Sequence, residues 1–330
     1  MKKIIAAFVI MLFTAALSAS AFGQVASIPA TKTGAAQQAA PQAAPIAPEG
    51  PIYDEKADAK ADIAAALARA AKENRRVLIQ WGGNWCGWCR LLHKLFNENQ
   101  AIAKVLLYEY DVVMVDIGNF NKNLDVADRY NKAYTEGFKS AGVPYLTVLD
   151  GAGNVVANQD TNSLEAGQGH DPKKVVDFLV KNKAAYLDAS VLLAKGLAEA
   201  KASGRRVFMH FGAPWCGWCK KLEAWMAQPE IAALLKKDFV DLKIDQDRTN
   251  GGLVMKRDYP GAEKSGIPWF AALDLDGKVV ATSTDSGANT GFPANAGEIA
   301  AFGGFLEKSA KRLTAADIQT LLASLTAAGK

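Results

Sequence analysis

Apolar and polar positions along the chain fall into two successive series that predict the same elements in the same order. Each series opens with an apolar stripe at helical spacing, which predicts a helix with one buried face. The stripe consists of Ile63, Ala66, Leu67 and Ala70 in the first series and of Leu193, Gly196, Leu197 and Ala200 in the second. The two helices are expected to end near Asn74 and Gly204, and apolar strands are predicted at residues 77–81 and 207–211.

The rest of each series predicts a helix, a strand, a hairpin and a closing helix. The strand that follows the helix ends at Asp116 in the first series and at Asp245 in the second. The hairpins begin with strands at residues 145–149 and 269–273 and pass through Gly-containing turns into short Val-Val strands. The closing helices begin near Pro172 and Ala296. This order favours an α/β fold of two tandem domains, each with a mixed central sheet flanked by helices.

Direct repetition of the sequence sets the register of the two series. Residues 75–89 match residues 205–219, with Arg-Arg-Val at the start and Trp-Cys-Gly-Trp-Cys at the end of each copy. A Gly-x-Pro follows in both repeats, at Pro144 and Pro268. The offset is 130 residues at the first cysteines (216 − 86) and 124 residues at the prolines (268 − 144). The first repeat therefore carries six more residues between its cysteine motif and its proline.

The segment before the repeats has the composition of a leader and a tether. Two lysines, an apolar run over residues 4–17 and then small residues are typical of a secretory signal peptide, cleaved after Ala21 or Gly23. A membrane anchor is the alternative, but the apolar run is too short to span a bilayer. The next stretch is rich in Ala, Pro, Gln and Thr and is predicted to be disordered. The expected organisation is a signal peptide at residues 1–23, a linker at 24–56, and domains at 57–184 and 185–330.

Composition and charge exclude some partners. Half of the residues are apolar or aromatic, which is enough to bury two ordinary cores. The formal net charge is +4, and it becomes +2 (38 − 2 − 34) when Lys2 and Lys3 leave with the leader. So small a charge gives no electrostatic support for binding nucleic acid. We expect a periplasmic or secreted protein with no stable membrane insertion after cleavage.

All four cysteines lie in two Cys-x-x-Cys motifs, each placed where an apolar strand turns into a helix. A thiolate in the first turn of a helix faces free N–H groups and the positive end of the helix dipole, which lower its pKa. Cys86 and Cys216 are therefore the expected nucleophiles. Cys89 and Cys219 lie three residues further on and are the expected resolving cysteines. The redox-active disulfides would be Cys86–Cys89 and Cys216–Cys219.

Two other roles for the cysteines remain open from the sequence. Two Cys-x-x-Cys pairs can supply a four-cysteine zinc site, although zinc ribbons place such pairs on short knuckles. His93 follows Cys89 by four residues, but Glu223 holds the matching position in the second repeat. A purely structural disulfide is the other alternative, and so short a loop removes little entropy from the unfolded chain. We expect neither a metal nor a bound cofactor.

The motif Trp-Cys-Gly-x-Cys, followed by Arg90 or Lys220, a later Asp and a Gly-x-Pro strand start, closely resembles the thioredoxin superfamily. The resemblance covers both repeats from about residue 57 onward. It implies cis prolines beside each redox pair, and a backbone segment before each proline that pairs with an extended substrate. It also implies that a tryptophan before each motif forms a wall of the redox site. The implied substrate-binding residues are Trp85, Val143, Pro144, Trp215, Ile267 and Pro268.

The chain departs from the pattern of the superfamily at two places. Thioredoxins commonly place a buried acid six residues before the first cysteine, where this chain has Gln80 and His210. Gln80 cannot titrate, whereas His210 is a candidate to relay a proton to or from Cys219, with a neutral core histidine as the alternative. Trp88 and Trp218 replace the proline often found between the cysteines. The direction of electron flow is therefore not predicted by the motif.

These residues together predict an exported protein thiol–disulfide oxidoreductase that exchanges electrons with cysteines of other exported proteins. Reductase action is favoured over oxidase or isomerase action, and it requires an electron-exchange partner such as a membrane or soluble thiol reductase. The alternative is a peptide-binding or chaperone-like module in which the cysteines are incidental. Duplication favours the enzyme, because both repeats keep both cysteines, the flanking tryptophan and the Gly-x-Pro.

Overall fold

The computed structural model describes residues 50–130 and 142–328. The predicted leader and most of the predicted linker lie outside these ranges, so both stay predictions. Within the ranges described, no helix is long and apolar enough to cross a membrane. Two mixed four-stranded sheets flanked by helices confirm the predicted fold of two tandem α/β domains.

The first domain is built on a central strand that pairs in both directions. Its elements are α1 (Ala59–Glu73), β1 (Arg76–Gly82), α2 (Gly87–Glu98), α3 (Gln100–Glu109), β2 (Tyr110–Asp116), α4 (Leu124–Tyr130), β3 (Tyr145–Leu149), β4 (Val155–Asp160), the short pair β5 (Glu165–Ala166) and β6 (Gly169–His170), and α5 (Pro172–Asn182). The strand order is β2-β1-β3-β4, with β1 parallel to β2 and antiparallel to β3. One core packs α1 and α4 on the sheet, and a second core packs α2, α3 and α5 on its other face.

The second domain repeats this plan. Its elements are α6 (Ala189–Ser203), β7 (Arg206–Gly212), α7 (Gly217–Met226), α8 (Pro229–Leu235), β8 (Phe239–Asp245), α9 (Gly252–Arg257), β9 (Trp269–Leu273), β10 (Val279–Thr282), α10 (Ala296–Ser309) and α11 (Ala315–Ala328). The strand order is β10-β9-β7-β8, and β7 is parallel to β8 and antiparallel to β9. The two central strands, β1 and β7, therefore carry the two cysteine motifs to equivalent places.

The first helix of each domain begins and ends for the same local reasons. The carboxylates of Asp58 and Asp188 accept hydrogen bonds from backbone N–H groups of the first turn of α1 and α6. At the other end, Asn74 and Gly204 take the left-handed backbone conformation that terminates a helix. The ends at Asn74 and Gly204 lie where the sequence predicted them.

The sequence pattern missed five of the described helices, of which α4 and α9 lie between the second strand and the proline of each domain. One helix was expected after each motif, but the structure has two, because Asn99 caps a new helix α3 and Pro229 begins α8 at a position that needs no N–H donor. Beyond the expected closing helix, α11 packs on α10 and buries Leu321 and Leu325. These leucines enlarge the core between the sheet and α10 of the second domain.

A buried ion pair joins the two domains. Arg248, which follows β8, donates to Oε2 of Glu109 on α3 at 3.1 Å and to the backbone carbonyls of Glu73 and Asn74. The hydroxyl of Tyr186 donates to the other carboxylate oxygen of Glu109 at 2.5 Å. Because the guanidinium and the carboxylate both have further partners, their burial leaves few polar atoms unpaired.

Residues 50–56, here called the strap, correct one boundary predicted from the sequence. The prediction assigned them to the disordered linker, but they pack on the first domain, and Tyr53 is only 2% exposed. The backbone N–H groups of Ile52 and Tyr53 donate to Oδ1 of Asn84 at 2.9 and 3.0 Å. The first domain therefore begins before residue 57, because a single buried aromatic ring fixes a segment whose average composition is that of a linker.

Candidate active sites

Each cysteine motif lies where the central strand of its sheet turns into a helix. Cys86 and Cys216 are the N-cap residues of α2 and α7, and each is joined by a disulfide to the cysteine three residues on. The amide of Cys89 donates to Sγ of Cys86 at 3.1 Å, and the amide of Cys219 donates to Sγ of Cys216 at the same distance. The first sulfur of each pair therefore lies at the positive end of a helix dipole.

The cysteines are buried, but a half-exposed tryptophan stands beside each pair. Trp85 is 52% exposed and Trp215 is 54% exposed, while the first cysteine of each pair is nearly covered. The indole N–H of Trp85 donates to the carbonyl of Gly118 at 2.7 Å, and that of Trp215 donates to the carboxylate of Asp247 at 2.8 Å. These bonds fix both rings as walls beside the disulfides. Contact with a substrate stays a prediction.

A cis proline lies against each disulfide. The Val143–Pro144 and Ile267–Pro268 peptide bonds are both cis, which confirms the geometry implied by the resemblance. The carbonyl oxygen of Val143 lies 3.4 Å from Sγ of Cys86, and that of Ile267 lies 3.5 Å from Sγ of Cys216. The fold thus brings the predicted site residues together in each domain, although pairing of Val143 and Ile267 with a substrate backbone stays a prediction.

The tryptophans between the cysteines have different neighbours in the two domains. Trp88 meets His170 edge-on with 5.5 Å between ring centroids, whereas Trp218 stacks on Phe292 at 6.1 Å and carries Lys221 over its face. Trp218 also lines a groove with Pro268, Asn289 and Glu298. His170 is not among the site residues predicted from the sequence. Its buried ring nitrogens have no hydrogen-bond partner among the described residues, and burial lowers its pKa to about 4.

A neutral polar pair lies beneath the resolving cysteine of the first domain. Nε2 of the fully buried Gln80 donates to the hydroxyl of Tyr53 at 2.8 Å and to the backbone carbonyl of Cys89 at 3.3 Å. Burial raises the pKa of Tyr53 well above its usual range, so the hydroxyl stays protonated. Sequence reasoning considered Gln80 but missed Tyr53, whose signal was a lone aromatic residue in an Ala- and Pro-rich stretch.

In the second domain, the position that matches Gln80 holds a histidine paired with a carboxylate. Nε2 of the buried His210 lies 3.0 Å from Oδ1 of Asp241 on β8. Burial acts to raise the pKa of Asp241, but the charge and hydrogen bond of His210 and two nearby lysines outweigh it and lower that pKa. The ring of His210 is thus held by Asp241, and its role as a proton relay to Cys219 stays a prediction.

A carboxylate–lysine pair of the same domain involves the helix that carries Cys219. Glu223 stands one helical turn after Cys219, and its Oε2 accepts a hydrogen bond from Nζ of Lys243 at 2.8 Å. A methyl group built on Gly212 would lie 3.6 Å from both Sγ of Cys219 and Oε1 of Glu223, so both atoms border one space beside Gly212. Sequence reasoning used Glu223 only as the position that matches His93. Its spacing of four residues after Cys219 was the available signal.

Similarity to known proteins agrees with this geometry. A family model described as thioredoxin-like matches residues 58–151 and 189–274. Protein disulfide-isomerase 1 of Dictyostelium discoideum is 26% identical over 223 residues, which are 62% of this chain and 54% of the relative. Protein disulfide-isomerase erp38 of Neurospora crassa is 25% identical over 191 residues, which are 54% of this chain and 46% of the relative. The chain therefore spans about half the length of these two relatives.

A solved structure is also similar to part of the chain. The disulphide isomerase from Xylella fastidiosa Temecula1 has 28% sequence identity and a TM-score of 0.36, and the match covers 41% of this chain and 98% of that one. Within residues 50–130 and 142–328, no group of three or more His, Cys, Asp and Glu residues is arranged to hold a metal ion.

Proposed function

This chain belongs to the thioredoxin-like family, and on that basis we propose that it is a protein thiol–disulfide oxidoreductase with two dithiol centres. One observation carries the proposal. In both domains a Cys-x-x-Cys disulfide caps a helix, and the carbonyl before a cis proline lies within 3.5 Å of the first sulfur. A structural crosslink needs neither the helix terminus nor the carbonyl, whereas a nucleophilic thiolate beside a bound peptide uses both.

The chemistry is thiol–disulfide exchange at Cys86 and Cys89, and equally at Cys216 and Cys219. The Cys86 thiolate, stabilised by the N–H groups at the start of α2, attacks one sulfur of a client disulfide, and the other client sulfur leaves as a thiolate and takes a proton from water. The Cys89 thiolate then attacks Sγ of Cys86, the bond to the client breaks, and the second client thiolate departs. Two electrons pass from the dithiol to the client disulfide.

Client binding is assigned to the walls around each first cysteine. The backbone of Val143 or Ile267, with its carbonyl beside the sulfur, offers hydrogen bonds to an extended client segment. The half-exposed rings of Trp85 and Trp215 offer apolar contact to the same segment. We assign these roles together with Pro144 and Pro268, which hold the backbone at the turn.

We propose that the protein works in the periplasm or outside the cell and acts there mainly as a reductase. The leader-like amino terminus supports this location. Reductase action needs an electron-donating thiol reductase as a partner. Isomerase action is the second candidate, because both relatives reported above are named disulfide isomerases. Both activities use the same dithiol.

The test is turnover of a protein disulfide by the full chain with a small dithiol as electron donor. We expect reduction well above the uncatalysed rate, and loss of that excess in Cys86→Ala/Cys216→Ala. Lys94→Ala, on the exposed side of α2, is the matched control and should retain the parent rate. A substrate with scrambled disulfides then separates isomerase from reductase action. A parent chain that binds an unfolded client without accelerating exchange would favour the peptide-binding module instead.

A further inference from the structure

The strap places a tyrosine hydroxyl at the buried cysteine of the first domain. A methyl group built on Gly82 would overlap the hydroxyl oxygen of Tyr53 and would lie 2.6 Å from Sγ of Cys89, so the two atoms share one small space above β1. Tyr53 and both cysteines form one buried cluster. Because residue 82 is a glycine, the ring of Tyr53 can enter this space.

The hydrogen bonds of Gln80 determine where the hydroxyl hydrogen can point. The same amide atom contacts the Tyr53 oxygen and the carbonyl of Cys89, and a carbonyl can only accept, so that atom is the NH₂ nitrogen. The Tyr53 oxygen therefore receives a hydrogen bond from Gln80. Within the part of the chain that the structure describes, its own hydrogen has no oxygen or nitrogen acceptor. Sγ of Cys89 borders the same space, and no hydrogen bond joins these two atoms while Cys89 is held in the disulfide.

The strap is anchored specifically to hold this ring in place. Asn84 accepts from the N–H groups of Ile52 and Tyr53, and its own Nδ2 donates to the carbonyl of Tyr53 at 3.0 Å. A guanidinium nitrogen of Arg90 donates to the carbonyl of Gly50 at 2.6 Å. The matching residue in the second domain is Pro214, which has no side-chain amide to bind such a segment. Among the described residues, a strap anchored in this way is found in the first domain.

We propose that Tyr53 is a positioning residue for Cys89, whose hydroxyl donates a hydrogen bond to the Cys89 thiolate during exchange. This rests on the proposed function, because the thiolate forms only when the disulfide is opened. Donation to the charged form of a group lowers its pKa. Tyr53 thus raises the fraction of Cys89 that can attack Sγ of Cys86 at neutral pH, and it releases the client sooner from the mixed disulfide. No proton is transferred from Tyr53.

The charged groups that the structure describes around this site do not donate a hydrogen bond to Cys89. The negative charge of the Asp116 carboxylate acts to raise the pKa of Tyr53. Nζ of Lys122 lies 3.1 Å from that carboxylate and forms an ion pair with it. Arg90, on the first turn of α2, is directed to the carbonyls of Asn84 and Gly50. His93 lies one turn beyond Cys89, and burial lowers its pKa, so it is neutral at pH 7. The hydroxyl of Tyr53 is an uncharged donor that borders the same space as the Cys89 sulfur.

The test measures the Cys89 pKa in the reduced full chain that carries Cys216→Ala and Cys219→Ala, by ¹³C NMR of the labelled cysteine. Tyr53→Phe should raise this pKa by about one to two units, the size expected for one hydrogen bond to a charged group. The rate of client release should shift to higher pH by the same amount. Tyr110→Phe is the matched control, since it removes another buried hydroxyl of this domain, bound to the carbonyl of Leu179 at 2.6 Å, and should leave the Cys89 pKa unchanged.

An unchanged Cys89 pKa in folded Tyr53→Phe would overturn the proposal. If that variant unfolds, a ring-fluorinated tyrosine at position 53 decides the question, because it keeps the shape and strengthens the donor: a lower Cys89 pKa supports the proposal and an unchanged one rejects it. The pKa is measured without any client. A parent chain that does not exchange disulfides would therefore reject the proposed function and still leave this measurement decisive for Tyr53.

Discussion

The two domains share the geometry of the disulfide and differ in what surrounds the resolving cysteine. In the first domain, the uncharged side chains of Tyr53 and Gln80 lie at Cys89. In the second, the carboxylate of Glu223 borders the same space as Sγ of Cys219 and is paired with Lys243. The helix cap and cis proline, which prepare the nucleophile, are duplicated. The side chains around the resolving cysteine are not, so the two centres should respond differently to pH.

The largest effect should come from removing a resolving cysteine. Cys89→Ser or Cys219→Ser leaves the attacking cysteine in place but removes the residue that releases the client, so a mixed disulfide should accumulate in either domain. Non-reducing mass spectrometry of the protein after incubation with a client disulfide detects the adduct. If both domains exchange disulfides, both variants should trap the client as a mixed disulfide. The absence of any reductant-sensitive adduct from one variant would restrict the activity to the other domain.

Replacing His170 by phenylalanine, the residue type that contacts the matching tryptophan of the second domain, should change acid stability. Because burial lowers the folded pKa of His170 to about 4, the folded protein keeps the ring neutral while the unfolded chain protonates it below about pH 6.5. Stability is therefore lost as the pH falls from 6.5 to 4, by up to about 3 kcal/mol.

His170→Phe, which copies the contact of Phe292 with Trp218, should remove most of that loss. Chemical denaturation at pH 7.5 and pH 4.5 measures the difference, with Phe292→Leu as a control for altered packing on a tryptophan. An equal loss of stability at acid pH in His170→Phe and the parent would show that other groups cause it.

Removing the carboxylate beside Cys219 should lower the pKa of that thiol. Glu223→Gln takes away a negative charge and leaves Lys243, so the thiolate should be favoured by about one pKa unit. We expect the exchange profile of the second domain to move to lower pH, while Glu230→Gln, on the exposed start of α8, leaves it in place. A shift to higher pH would instead indicate that Glu223 serves as the base for Cys219.

The smallest effect is expected for His210→Gln, which copies Gln80 into the second domain. The nucleophile and its helix terminus are untouched, so activity should persist, but any contribution of a proton relay by the imidazole to the pH profile should disappear. Exchange rates of the full chain lacking Cys86 and Cys89, measured from pH 5 to 9, test this. An unaltered profile would assign His210 to the core as the partner of Asp241.

The sequence was sufficient where a signal is local or repeated. The strands, the helix ends at Asn74 and Gly204, and the cysteine-bearing helix starts all follow from short patterns, and the duplication placed them in a common frame. The cis geometry of the two prolines came from the resemblance to a known superfamily and not from spacing.

What the sequence did not give are contacts between distant residues. Glu223 and Lys243 meet only after α7 packs on β8, and neither residue is marked by its neighbours. Tyr53 is 27 residues from Gln80, inside a stretch whose composition is that of a linker. The ion pair of Glu109 with Arg248 spans 139 residues. Such pairs depend on the tertiary fold, which composition and periodicity do not encode.

The central claim is that both dithiol centres work but respond differently to pH. The most direct test measures the pH dependence of disulfide exchange in two full-length variants. One variant carries Cys86→Ala and Cys89→Ala, and the other carries Cys216→Ala and Cys219→Ala. Each variant keeps one dithiol. The account predicts that both variants reduce a client disulfide and that their rate profiles differ in midpoint or number of steps. Loss of all exchange in either variant, or identical profiles in both, would contradict it.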